Sequence, residues 1–156
     1  MTINDPDNNE DVPAIIYAAR HNKSSGIIEN LLKKGANVEQ LNGASTPLME
    51  AAEYGNFQAV RVLLDNKANI NAKDDMDVPP IALAVMNKDI NMIKLMLEKR
   101  KGEIDLNDIK NELDEPSNPE IKTILKQYIA NQTKQSGAGR KRTRRYKKSK
   151  NNTRKK

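Results

Sequence analysis

The fold is decided by the stretch Thr46-Pro47-Leu48-Met49-Glu50-Ala51-Ala52, which continues to Leu63-Leu64 and to Ala68-Asn69-Ile70-Asn71. Thr46 is a suitable N-cap residue, and Pro47 suits the first helical position, where no backbone donor is needed. Gly55 permits the positive φ that ends a helix, and Asn56 can cap a second helix. Two helices this short cannot bury their apolar stripes against each other alone, so the pattern predicts a helix-turn-helix unit that needs neighbours.

The same pattern recurs along the chain at a period of about 33 residues. A cap-forming residue, an Ile or Val four positions later, and a large apolar pair three and four positions after that occur together in four sets. The four sets are Ser24, Ile28 and Leu31-Leu32; Asn56, Val60 and Leu63-Leu64; Asp89, Ile93 and Met96-Leu97; and Ser117, Ile121 and Ile124-Leu125. Paired helices at this period are typical of a stacked helical array.

The second repeat resembles an ankyrin repeat. The likeness is carried by Thr46-Pro47-Leu48, Ala51-Ala52, Gly55, Val60, Leu63-Leu64 and Ala68-Asn69-Ile70-Asn71. It extends over about residues 11–130, and it implies an all-α ankyrin-repeat solenoid of helix-turn-helix units with short β-turn fingers. The sequence predicts three segments: a disordered leader at 1–11, an ankyrin repeat domain at 12–131 and a disordered basic tail at 132–156. Within the domain, the predicted repeats are at about 12–44, 45–77 and 78–107, followed by a truncated capping repeat at 108–131.

Three departures from the family pattern accompany this resemblance. Met49 stands where the family usually has a His that bonds back to the Thr. Pro13 and Pro79 replace that Thr in the first and third repeats, which therefore lack the link. The third repeat also carries about three extra residues before Ile104.

Composition favours an intracellular protein, cytoplasmic or nuclear and not secreted. The chain has no Cys, so it has neither a disulfide framework nor a thiolate metal site. No apolar run approaches the ~20 residues that span a bilayer, which predicts no membrane contact. The segment 1–11 is acidic and rich in Asn, unlike a signal peptide. Trp is absent and Phe57 is the single Phe, which suits thin layers of small aliphatic side chains.

The net charge of +6 conceals two opposite parts. Residues 133–156 contain 12 Lys or Arg and no acid, which leaves 15 basic and 21 acidic residues in 1–132, a net charge of −6. The sequence therefore predicts an acidic folded body followed by a basic tail.

No catalytic constellation is visible in the sequence. His21 is the sole His, and neither a Ser-His nor a Cys-His pair is predicted. A phosphate loop follows a β-strand, and no strand is predicted before Gly137-Ala138-Gly139. Asp74-Asp75-Met76-Asp77 lacks the later Glu and the flanking helices of a calcium loop. We therefore expect no enzyme activity, no cofactor and no metal.

Recognition of a protein partner is what the resemblance implies. In the family, partners are held by the fingers and by the exposed end of each first helix. By position, these residues are Arg20, His21, Leu41, Asn42, Ser45, Glu53, Tyr54, Lys73, Asp75, Met76, Val78, Met86 and Asn87. Tyr54 is the candidate aromatic anchor. Leu41 and Val78 are equally compatible with packing on neighbouring fingers.

The tail offers two further functions. Its basic residues are Arg140, Lys141, Arg142, Arg144, Arg145, Lys147, Lys148 and Lys150. They fit a nuclear import signal and non-specific contact with nucleic acid equally well. A third possibility is that the tail folds back onto the acidic body and masks it.

Two hypotheses follow from the whole sequence. The first is a monomeric adaptor that binds a protein partner, with a tail for nuclear targeting or polyanion contact. The second is a packaging or chromatin-type protein whose tail binds phosphates and whose repeats are a scaffold. Asn, Lys and Ile are used heavily, and their codons can be AT-rich. Ankyrin proteins with basic tails and AT-rich coding are similar to those of large DNA viruses, in which case the partner would be a host protein.

Overall fold

The computed structural model describes residues 2–4, 11–21, 25–100, 102–105, 107–110 and 118–134. Strands β1 and β2 cover Thr2–Asn4 and Asp11–Pro13, and the helices that follow are α1 Ala14–His21, α2 Ser25–Lys33, α3 Pro47–Glu53, α4 Phe57–Asp65, α5 Pro80–Met86 and α6 Ile90–Lys99. Residues 107–110 and 119–134 are also helical.

The helices form two stacked rows, as a repeat array requires. The first helices of successive repeats contact one another in the order α1, α3, α5, and the second helices do so in the order α2, α4, α6. Each repeat thereby buries its apolar side against the next: Val60, Leu63 and Ile93 are fully buried. The predicted all-α repeat solenoid is confirmed.

The start of α3 shows how Met49 replaces the expected His. The Met49 backbone N–H donates to Thr46 Oγ1 (3.3 Å), and the Thr46 backbone N–H donates to Met49 Sδ (3.4 Å). A thioether is a weak acceptor, so this reciprocal cap is retained in weakened form. The equivalent residue before α5, Pro79, makes no side-chain capping bond.

Side chains also join each repeat to the next through backbone groups. Asn56 Nδ2 donates to the Ala19 carbonyl (2.9 Å), and Asn87 Nδ2 donates to the Glu53 carbonyl (2.7 Å). Both bonds satisfy a carbonyl at the end of the preceding first helix. They join the ends of α1, α3 and α5, which carry the residues predicted to bind a partner.

A second set of bonds links the turns that follow the second helices. The Asn69 backbone N–H donates to Glu39 Oε1 (2.6 Å), and the Asp105 backbone N–H donates to Asn71 Oδ1 (3.0 Å). Glu39 and Asn71 hold the same position in successive repeats, so the bond recurs although the side chain differs. Asn71 Nδ2 also donates to the Glu103 carbonyl (2.7 Å), which ties the segment after α6, residues 100–105 (the third connection), to repeat two.

The N-terminal end of the array differs from the predicted leader. Residues 2–4 pair antiparallel with 11–13, with Ile3 opposite Val12 in the register. Val12 is buried in the core, and a β-branched residue suits a strand. Residues 2–4 therefore have regular structure that the sequence analysis did not anticipate.

The C-terminal end is covered by the helix 119–134. Ile121, Leu125 and Tyr128 are buried, whereas Lys126 and Gln127 are exposed, the two-faced arrangement predicted for an end helix. This helix continues three residues beyond the predicted end of the capping repeat at 131. The capping residues Ser24 and Ser117 lie outside the described residues, and the division into domains stays a prediction.

Candidate partner-binding surface

Two groups of residues make up the surface predicted from the sequence. The helix-end row consists of the last residues of the first helices: Arg20 and His21, Glu53 and Tyr54, and Met86 and Asn87. Finger 1 is the turn 41–45, and finger 2 is the turn 72–78. Large apolar side chains are exposed in both groups: Leu41 is 53% exposed, Tyr54 55%, Met76 79% and Met86 68%.

Aromatic rings gather at one end of the helix-end row. The His21 ring lies 4.6 Å from the Tyr17 ring and 6.2 Å from the Tyr54 ring, measured between centroids. The Arg20 guanidinium carbon lies 6.0 Å from the centroid of Tyr54, at the outer limit of a cation–π contact. Residues of the first two repeats thus form one continuous cluster around Tyr54.

A buried ion pair underlies this cluster. Arg20 Nε donates to Glu50 Oε2 (2.7 Å) and Arg20 Nη2 donates to Glu50 Oε1 (3.2 Å), a two-bond pair between successive repeats. The side chains are 13% and 5% exposed. The charge of Arg20 is therefore paired with Glu50 inside the array, and Arg20 has a positioning role rather than that of an exposed contact for a partner. Sequence reasoning missed Glu50, although a carboxylate within the apolar run Leu48 to Ala52 was a signal for a buried partner.

Finger 1 is closed by paired backbone bonds. The Asn42 and Ser45 backbone groups bond each other in both directions at 3.0 and 3.2 Å, and Gly43 has the positive φ of 61° that this tight turn needs. Asn42 and Ser45 are half-buried, whereas Leu41 is exposed. The exposed side chain of Leu41 is available for contact with a partner, and that contact stays a prediction.

Finger 2 is organised by Asp74. Its Oδ1 atom accepts from the backbone N–H groups of Met76 and Val78, each at 2.9 Å. Met76 occupies the tip, while Val78 is half-buried. A turn held at its base in this way presents the Met76 side chain at low entropic cost on binding.

Lys73 is engaged within the array. Its Nζ lies 2.8 Å from Asp108 Oδ1, a carboxylate that is itself buried. The hydrogen bond that Lys73 donates to Asp108 raises the pKa of Lys73 above its ordinary value, so the ammonium form is favoured. Lys73 thus connects finger 2 to the fourth repeat, and sequence spacing gave no sign of this pairing.

The remaining predicted residues fall into two classes. His21, Glu53, Asp75 and Asn87 are exposed. Asn87 nevertheless uses its amide on the carbonyls of α3, which gives it a structural role. The basic residues of 140–150 lie outside the described residues, so their assignment stays a prediction from sequence.

The described part of the chain shows neither a metal-ion cluster nor a membrane-spanning helix. There, no group of three His, Cys, Asp or Glu side chains is arranged to hold a metal ion. Among those same residues, no helix is both long and apolar enough to traverse a bilayer. A groove of about 310 Å³ lies between α6 and the helix 119–134, lined by Leu97, Ile124 and Tyr128 among others, and none of the predicted binding residues contributes to it.

Comparison with known families identifies the repeats. A family model described as ankyrin repeats (3 copies) matches residues 15–110. The chain belongs to the ankyrin-repeat family. The resemblance read from Thr46 to Asn71 is thereby confirmed. Ankyrin repeats are a general protein–protein interaction module, and the family is non-catalytic.

Relatives of this ankyrin protein come from viruses, bacteria and animals. It is 38% identical over 58 residues to a putative ankyrin repeat protein, L371, of Acanthamoeba polyphaga mimivirus, a match covering 37% of this chain and 8% of that protein. It is 37% identical over 84 residues to the putative ankyrin repeat protein FPV244 of fowlpox virus, a match covering 53% of this chain and 12% of that protein. It is 54% identical over 43 residues to the ankyrin repeat and KH domain-containing protein mask of Drosophila melanogaster, a match covering 28% of this chain and 1% of that protein. The matches thus span small parts of these longer relatives.

Proposed function

We propose that this ankyrin protein is a non-enzymatic adaptor that holds one protein partner on its helix-end row and finger tips. One observation carries the proposal. The large apolar side chains exposed in the described residues are Ile27, Leu41, Tyr54, Met76 and Met86, and four of these five lie on that surface. Buried aromatic anchors dominate binding energy at many interfaces, and Met adapts to varied partner shapes.

The surface is also held in place before any partner arrives. The ion pair with Glu50 holds the Arg20 guanidinium carbon 6.0 Å from the centroid of the Tyr54 ring, and the Asn87 amide joins the end of α5 to the end of α3. Binding then requires little ordering of backbone or buried side chains. Less of the interaction free energy is lost to entropy, which favours a stable complex.

The basic segment 140–150 has, in this proposal, a separate role as a nuclear import signal or a contact for polyanions. Its composition supports that role: it contains 8 Lys or Arg and no acid. Contact with phosphates through such a segment would weaken steeply with salt because counterions are released on binding.

Replacing the exposed anchors tests the adaptor function. We expect Tyr54→Ala combined with Met76→Ala to weaken partner binding by about 30-fold, since a single hot-spot residue contributes ~2 kcal/mol or more. The measurement is quantitative capture by the full-length chain followed by mass spectrometry, then titration of the captured protein. Both residues are exposed, so the thermal unfolding midpoint should not change.

A matched control lies on the second-helix side of the same repeat. Gln58 and Arg61 of α4 are exposed, and Gln58→Ala combined with Arg61→Ala should leave capture unchanged. Equal capture by the wild type and by the Tyr54/Met76 variant would show that the partner binds elsewhere. Loss of capture in the α4 variant alone would assign the interface to the second helices.

A further inference from the structure

Finger 2 carries more negative charge than its surroundings neutralise. It contains Asp74, Asp75 and Asp77, and its single basic residue, Lys73, is paired with Asp108. Asp108 is only 5% exposed, and its Oδ2 atom has no hydrogen-bond partner within the described part of the chain. The surface around the exposed Met76 is therefore both apolar and acidic.

The helix-end row adds little positive charge to this surface. The Arg20 guanidinium is taken up by Glu50 in a two-bond pair. Glu53 is exposed beside Tyr54, and Lys88, just beyond Met86, is an exposed cation at the margin. A segment that combines positive charge with aliphatic stems would match the chemistry presented by Met76, Met86 and the neighbouring carboxylates.

We propose that the occupant of this surface is the chain's own basic segment, residues 140–150, which docks on finger 2 and the helix-end row and competes there with a protein partner. The inference rests on the proposed function, because it assigns a regulatory occupant to the same surface. Within the sequence, this segment has the matching chemistry: 8 Lys or Arg, one Tyr and no acid.

The path of the chain places this segment within reach. The helix 119–134 contacts the third connection six residues before its end, where the Gly102 backbone N–H donates to the Tyr128 hydroxyl (2.9 Å). That connection is tied in turn to Asn71, two residues before Lys73, by the bond from Asn71 Nδ2 to the Glu103 carbonyl. Five residues separate position 134 from Arg140, and the six Cα–Cα steps of this connection span up to about 20 Å when extended.

Tethering makes even a weak contact effective. A segment joined by a short connection acts at an effective concentration on the order of 1 mM. At that concentration an intrinsic dissociation constant of about 0.1 mM would leave the surface roughly 90% covered. Arginine and lysine stems would cover Met76 while their charged ends approach Asp75 and Asp77. A protein partner, or a polyanion that engages the basic segment, would shift this equilibrium.

The methionines provide a direct test in the full-length chain. Met76 and Met86 are exposed reporters on the surface, and Met49, Met92 and Met96 are buried controls. The chain is labelled with ¹³C at the methionine methyl groups, and resonances are assigned through Met76→Leu and Met86→Leu. Spectra are compared for the wild type and for a variant in which the 8 basic residues of 140–150 are replaced by Gln.

We expect the Met76 and Met86 resonances of the Gln variant to move to the positions that the wild type shows in about 1 M NaCl, where the Debye length falls to about 3 Å. The three buried methionines should not move. A second variant, with the four arginines of 140–150 replaced by Lys, keeps the charge and should retain most of the wild-type shift.

Two outcomes would overturn the inference. If the Met76 and Met86 resonances coincide in the wild type and the Gln variant at low salt, the segment does not cover the surface. If their wild-type positions depend on protein concentration, the occupant is a second copy. Neither result affects the adaptor function, which the Tyr54/Met76 capture experiment decides separately.

Discussion

Replacing Leu63 by alanine is expected to lower the free energy of unfolding by about 3 kcal/mol, within the range of about 2–5 kcal/mol for such changes in well-packed cores. Leu63 is 0% exposed and lies in the middle repeat, with α2 and α6 packed on either side of α4. The substitution removes apolar area and leaves a cavity that two neighbouring layers would have to fill. Equilibrium denaturation in urea measures the loss.

Position in the array supplies the controls. Leu31 is the equivalent residue of the first repeat and is only half-buried, so Leu31→Ala should cost less than half as much. Gln58→Ala, on the exposed side of α4, should change stability by no more than about 0.5 kcal/mol. Equal losses for Leu63→Ala and Leu31→Ala would be inconsistent with layers that are buried by neighbours on both sides.

Breaking the ion pair between Arg20 and Glu50 is expected to cause a second large loss of stability. Glu50→Ala is expected to cost about 3–5 kcal/mol, because it removes the carboxylate that accepts two hydrogen bonds from the largely buried Arg20. The double variant Arg20→Met with Glu50→Leu should be markedly more stable than Glu50→Ala alone, since no buried charge is left uncompensated. Chemical denaturation of the single and double variants measures the coupling.

The opposite result would change the interpretation of the surface. If Glu50→Ala costs less than about 0.5 kcal/mol, the pair is a weak surface interaction, and Arg20 is available to a partner. A loss of unfolding free energy of the predicted size would instead show that Arg20 has a structural role next to Tyr54. The double variant, which keeps the fold but lacks the Arg20 charge, can then be used in binding experiments.

Local sequence patterns predicted the array because its determinants are local. Asn56 caps α4, and Val60 and Leu63 form its apolar stripe. The same combination of cap and stripe recurs in the second helix of each repeat. The cap and the stripe depend on neighbours three or four residues apart, which a sequence displays directly. The exposure of Tyr54 and Met86 was implied by the resemblance to the ankyrin family, in which these positions lie at the ends of first helices.

The contacts that sequence missed join residues of different repeats. Glu50 pairs with Arg20, Lys73 with Asp108, and Asn87 with the end of α3, each about one repeat away along the chain. At a separation of about one repeat, a long side chain can reach several possible partners, so residue type alone does not predict which one it contacts. The strand pair at 2–4 and 11–13 was missed for a related reason, since three-residue strands have little pattern of their own.

Hydrogen exchange of the full-length ankyrin protein, free and bound to its captured partner, tests the assigned surface most directly. Binding is predicted to slow amide exchange in finger 2, residues 72–78, and around Tyr54 at the end of α3. The exposed side of α4 around Gln58 and Arg61 should exchange as in the free chain. Protection confined to α4 and α6, with finger 2 unchanged, would contradict the assignment.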